Sequence, residues 1–203
     1  MIEALTVQYL HLTDFFYSGG VIMVPLAAVS LVMWGLIVDR VLFFRTLNRQ
    51  NMDLGTAREH IRYRRMPDPE RYHGIISLLV ARFQQRRSDN PQLDRFILDE
   101  TVLALNRSLD AYLAVIGILA AVAPLLGLLG TVTGMIGIFD ILAVFGTSNA
   151  KGMAGGISEA LLTTQTGLIV AIPGMYMQGF LERRARNLKQ RVARVGYYLR
   201  RHL

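Results

Sequence analysis

The chain has 203 residues, 52% of them apolar and 18% charged, with a net charge of +7 and no cysteine. The lack of cysteine excludes disulfides, thiolate metal sites and a cysteine nucleophile. The apolar excess is concentrated in three uncharged stretches, 19–38, 111–139 and 160–181, which leave little chain for a separate soluble catalytic core. Because about 20 apolar residues cross a hydrocarbon layer of about 30 Å, each stretch is a candidate span. The predicted fold is therefore all-α: a polytopic membrane protein with three transmembrane helices extended by cytoplasmic helices.

Residues 1–18 carry Met1, Ile2, Leu5, Tyr9, Leu12 and Phe16 at roughly helical spacing, with Phe15, Phe16 and Tyr17 near the following apolar run. This predicts an interfacial amphipathic helix on the outer, periplasmic side, anchored by aromatic rings. No Lys or Arg precedes the apolar run, and the run is too long for a signal-peptide core, so no cleaved segment is expected. The first span, 19–44, carries Pro25 and Trp34 and ends around Asp39 and Arg40 at the inner interface.

The region 45–110 is too poor in apolar residues for an independent domain, yet it holds helical patterns broken at Met66–Pro69 and Ser88–Pro91. Ile76, Leu79, Val80 and Phe83 form one stripe, and Leu93, Phe96, Ile97, Val102 and Leu105 form another that leads to the second span, 111–139. A short periplasmic loop, 140–152, precedes the third span, 153–181. In the tail, 182–203, Leu188, Val192, Val195 and Leu199 continue a stripe from Leu181, with arginines between them.

Lys and Arg are distributed very unevenly: none in 1–19, twelve in 45–110, eight in 182–203, and Lys151 alone in 140–159. Positive charge beside spans stays cytoplasmic, so the N-terminus is predicted outside, periplasmic in a bacterial inner membrane, and the C-terminus cytoplasmic. Topology thus accounts for the basic balance without nucleic acid as a partner.

Within the second span, Gly127, Gly130, Gly134 and Gly137 are small residues of the kind that let membrane helices approach closely. Thr131 and Thr133 beside them add hydroxyls, which can also simply bond back to helix carbonyls. In the third span Glu159 is followed by Thr163, Thr164, Gln165 and Thr166. At about 100° per residue, Glu159, Thr163 and Thr166 share a face and Thr164 is displaced around the helix. An acid inside a span is expensive facing lipid, which makes it functional by default. If the helix starts at Ala160, Glu159 is an outer helix-end residue favoured by the dipole; if it starts near Met153, Glu159 is intramembrane. The small and apolar residues Met153 to Ile157 favour the second case.

The run PLLGLLGTVTGMIGIFDIL (Pro124 to Leu142), followed by GISEALLTTQTGLIVAIPGM (Gly156 to Met175), resembles the MotA/TolQ/ExbB proton-channel family. Three spans without a large rotor-binding region look more like its ExbB/TolQ branch. The resemblance implies a homopentameric ring around a dimer of a single-span, ExbD/TolR-like partner that carries a proton-accepting Asp, driving a TonB- or TolA-like protein from the bacterial inner membrane. It also implies pore-lining roles for Thr131, Glu159 and Thr164, and Thr163 and Thr166 join them as candidate proton-path residues. The extra polarity of Thr163, Gln165 and Thr166 suggests a sister branch of TonB-linked ExbB proteins.

Other classes fit less well. His11, His60, His73 and His202 all lie outside the spans and no Gly-x-Ser-x-Gly turn occurs, so an intramembrane serine hydrolase cannot be assembled and no enzyme activity or cofactor is expected. A solute carrier would need repeated bundles around a midplane site. A non-conducting membrane scaffold explains the glycines and the basic helices but not the clustered Thr and Glu.

Overall fold

The computed structural model describes residues 19–48, 52–68, 74–88 and 90–201, so the helix expected over 1–18 lies outside the described residues. Among the described residues six α-helices occur in order: α1 (Met23–Asn48), α2 (Leu54–Arg62), α3 (Ile75–Arg86), α4 (Pro91–Asp110), α5 (Leu113–Phe145) and α6 (Ala150–Arg200), with a 3-10 turn at Gly146–Ser148. No strand occurs among the described residues. Three of the helical runs are long and apolar enough to cross a membrane. The fold is all-α, as the periodicity predicts.

The chain divides into two compact units. The first pairs the chain up to Leu36 with Val115–Gln178. Its buried positions on α5, Ile116, Ala120, Ala123, Gly127, Gly130, Gly134 and Ile138, recur at intervals of three and four. Those on α6, Ala160, Thr163, Gly167, Ala171 and Gly174, do the same. A seam at such spacing is the knobs-into-holes pattern of supercoiled antiparallel helices. Met33 of α1 wedges into it, since a Cβ on Gly174 would meet Met33 Sδ at 2.5 Å and Ala120 Cβ at 3.2 Å. Gly20, at φ +66°, turns the chain into α1, and Gly146, at φ +61°, ends α5 in the left-handed conformation that glycine adopts without steric cost.

The second unit pairs Ile37–Ala114 with Gly179–Leu203. The apolar residues that region 45–110 lacks are supplied by the end of the first span (Ile37, Phe44) and by the tail of α6. All of the predicted tail stripe, Leu181, Leu188, Val192, Val195 and Leu199, is buried here, together with Ala185. The stripe read on α3 is buried as well, but α4 turns a different face inward from the one its apolar residues suggest. Leu93 and Phe96 are exposed, whereas Asp94, Leu98, Thr101, Leu105 and Leu109 are buried. The reason is polar: the buried Asp94 carboxylate accepts the Ser88 N–H at 2.8 Å and Arg87 Nε at 3.0 Å, which sets the rotation of α4.

Between α4 and α5 the helix breaks without Gly or Pro, at Tyr112, whose φ is +64°. That conformation costs an L residue about 1–2 kcal/mol. Arg40, only 8% exposed, holds the break: its guanidinium lies 4.8 Å from the Tyr112 ring centroid and donates to the Ser108 carbonyl at 3.3 Å. Lys189 adds an ion pair to Asp110, the last residue of α4.

Candidate functional site

The seam between α5 and α6 is made of small residues on both sides. A Cβ on Gly167 would come within 2.8 Å of the Ala123 carbonyl oxygen and 3.2 Å of Gly127 Cα. One on Gly127 would meet the Thr163 carbonyl at 3.0 Å and Thr164 Cα at 3.1 Å, and one on Gly134 would meet the Gly156 carbonyl at 3.0 Å. These are backbone-to-backbone approaches that no side-chain rotation relieves. Gly137 differs from Gly127, Gly130 and Gly134, because a Cβ there would meet nothing within 4 Å. Gly156, Gly167 and Gly174 on α6 are contact residues that the sequence reading passes over. Their signal was the spacing Gly156, Ala160, Thr163, Gly167, Ala171 and Gly174, small residues at every third or fourth position.

The polar residues of the two helices divide around this seam. Thr163 is in it, 1% exposed against Gly130, with its hydroxyl donating to the carbonyls of Glu159 (3.1 Å) and Ala160 (3.0 Å). On one flank stand Thr131 and Thr164, at about +50° from the seam on their antiparallel helices. Thr131 donates to Leu128 O at 2.6 Å, and Thr164 donates across the seam to Gly127 O at 3.1 Å, which places both hydroxyls within about one turn of each other. Each keeps lone pairs free to accept, since a hydroxyl carries one donor and two acceptor sites. Around them this flank is apolar and exposed, with Leu128 and Met135 on α5 and Ile157, Leu161, Leu168 and Met175 on α6, and the Gln178 amide stands against Gly117 about four turns away. The two threonines are thus one layer of hydroxyls on an apolar wall.

Glu159 and Thr166 lie on the opposite flank. The helix that carries Glu159 begins at Ala150, so this carboxylate is well inside α6 and is not a helix-end cap. It packs against the turn at Gly20, where any Cβ would collide with its Oε1. Thr166 donates to Leu162 O at 2.7 Å. Its neighbours Val170, Pro173 and Met177 are half-buried, unlike the exposed apolar residues of the threonine flank. The sequence reading also passed over Asp140, an exposed acid that falls within α5 because that helix extends to Phe145. Its signal was the DIL that closes the first long motif. No group of His, Asp and Glu able to hold a metal occurs among the described residues.

Comparison with known proteins converges on one family. Residues 72–194 match the model of the MotA/TolQ/ExbB proton channel family. The chain is 34% identical to an ExbB-like biopolymer transport protein of Synechocystis over 80% of this chain and 67% of that one. It is 30% identical to the biopolymer transport protein ExbB of Salmonella typhimurium over 83% of this chain and 74% of that one. Identity to ExbB of Pseudomonas putida is 35%, over 48% of this chain and 30% of that one.

Proposed function

Because the chain belongs to the MotA/TolQ/ExbB proton channel family, we propose that it is the stator subunit of a proton-motive-force-driven complex of the bacterial inner membrane. In this reading several copies, a pentamer by family resemblance, enclose a dimer of a single-span ExbD/TolR-like partner. Proton passage then energises a TonB- or TolA-like protein that works on the outer membrane. The observation that carries the reading is the hydroxyl layer of Thr131 and Thr164 amid exposed apolar side chains on an open flank. An apolar wall alone would dewet and block ions, whereas one polar layer gives water and a partner carboxylate a place to bond. Since α1 packs against the Glu159 flank, the threonine flank is the one left free to turn inward.

Of the two carboxylates of α6, Glu159 and Glu182, only Glu159 lies within Val115–Gln178, and we assign it the charged station of the path, acting from the α1 side. Thr163 is assigned to the seam, and Thr166 to the polar lining behind Glu159. The titratable group at the hydroxyl layer is then the partner's Asp. Driving one charge through such a path releases about 2.3 kcal/mol per 100 mV.

The direct test is co-expression with a single-span partner bearing an intramembrane Asp, followed by proton flux into vesicles. Flux that needs both proteins and is lost when the partner's Asp becomes Asn supports the stator. No flux from a stably assembled pair supports the scaffold instead. Orientation is checked separately: reporters fused after Leu12 and after Ser148 are expected to read periplasmic, and those after Arg87 and at Leu203 cytoplasmic. A periplasmic signal from Arg87 would reverse the proposed direction of the path.

A further inference from the structure

The unit formed by Ile37–Ala114 and Gly179–Leu203 contains a cavity of about 250 Å³ between the end of α1 and α6. Phe44, Arg184, Asn187, Leu188 and Arg191 line it. Phe44 and Leu188 are buried and make an apolar floor. Arg184, Asn187 and Arg191 are exposed and follow one another at spacings of three and four, which puts two guanidiniums and an amide along one rim.

The rim carries net positive charge. Three cations of this stretch are paired within the chain, Arg186 with Glu182, Lys189 with Asp110 and Arg200 with Asp99, while Arg183 and Arg194 have no carboxylate partner among the described residues. Among the described residues neither Arg184 nor Arg191 has a carboxylate partner. Arg184 rests instead on the exposed Phe180 ring, 4.9 Å from its centroid. The position is equally telling, because the uncharged part of α6 ends at Leu181 and the last apolar run of α1 ends at Phe44, next to Arg45. The cavity therefore opens where both helices pass from apolar sequence to arginine, the depth at which lipid headgroups lie.

We propose that this cavity binds the headgroup of an anionic membrane phospholipid. A guanidinium is weakly hydrated and presents a planar fork of donors that matches phosphate oxygens, so two of them at an interface favour a phosphodiester over water. The Asn187 amide can donate to a headgroup hydroxyl, and Phe44, Leu188 and Phe180 accept the glycerol and the first methylenes. A zwitterionic lipid offers the same phosphate but would bring an ammonium group between the two arginines, so net negative charge decides the selectivity. The bound lipid would fill the gap between α1 and α6 and tie this unit to the bilayer surface.

The test uses the full-length protein, with its partner if the complex requires one, released from mixed micelles holding equal amounts of phosphatidylglycerol and phosphatidylcholine with identical chains. Native mass spectrometry then reads which lipid remains bound. The wild type is expected to retain phosphatidylglycerol selectively, and Arg184→Gln/Arg191→Gln to lose that selectivity by about fivefold per arginine removed. Arg184→Lys/Arg191→Lys should keep part of it, and Arg183→Gln/Arg194→Gln, which removes the same charge outside the cavity, should keep it fully. The proposal is overturned by a wild type without preference, or by a double Gln variant that retains it. It is equally overturned if millimolar inorganic phosphate displaces the lipid, which marks a free-anion site, or if the Gln variant changes subunit number while lipid stays bound, which makes a second copy the occupant.

Discussion

Gly167→Ala is expected to destabilise the protein by about 1–3 kcal/mol, and Gly167→Leu to prevent recovery of an assembled complex. In an exposed helix, Gly→Ala stabilises by about 1 kcal/mol because alanine loses less backbone entropy on folding. At Gly167 that gain is overridden, since the new Cβ would sit 2.8 Å from the Ala123 carbonyl oxygen and the two backbones would have to separate. Gly137→Ala is the internal control: with nothing within 4 Å of its Cβ, the helix preference should act alone and leave stability unchanged or slightly raised. Thermal unfolding of the purified complex, together with its subunit number by native mass spectrometry, reads both effects. Equal tolerance at the two positions would mean that the α5–α6 seam is not the packed interface described here. Loss of assembly with intact folding at Gly137 would instead place that glycine against another chain.

How much of this was legible in the sequence depends on which force fixes each element. The three spans and the tail stripe Leu181 to Leu199 could be read directly, because burial of apolar side chains at helical spacing is what positions them. The face of α4 could not. Its rotation is set by Asp94 taking the Ser88 N–H and Arg87, and a buried carboxylate looks like a surface residue in a pattern of apolar positions. Tyr112 likewise gives no sign that it breaks the helix, since the break depends on Arg40, far away in the chain. In the candidate site the residue types were legible and their grouping was not. Helical spacing puts Glu159, Thr163 and Thr166 together, but the glycine seam runs through Thr163, and only the position of α1 separates the Glu159 flank from that of Thr131 and Thr164. The start of α6 at Ala150, which removes the helix-end role for Glu159, agrees with the small and apolar run Met153 to Ile157.

That division yields the sharpest functional prediction. Thr131→Val and Thr164→Val preserve shape and remove one hydroxyl each, so both should assemble and both should lower partner-dependent proton flux by up to about tenfold, the equivalent of one hydrogen bond of about 1.4 kcal/mol. Because the two hydroxyls form one layer, the double variant should fall well short of the product of the single effects, as residues sharing a function do. Glu159→Ala should also reduce flux, but from the other flank, so its combination with Thr164→Val should be multiplicative. Glu159→Gln then separates charge from packing. It keeps the size of the side chain against the Gly20 turn, so a purely structural carboxylate predicts near-normal flux for Gln and loss for Ala. A charged station in the path predicts that Gln fails as badly as Ala while assembly stays intact. Multiplicative behaviour of Thr131→Val with Thr164→Val would dissolve the hydroxyl layer as a unit, and normal flux in all four single variants would remove both flanks from the proton path.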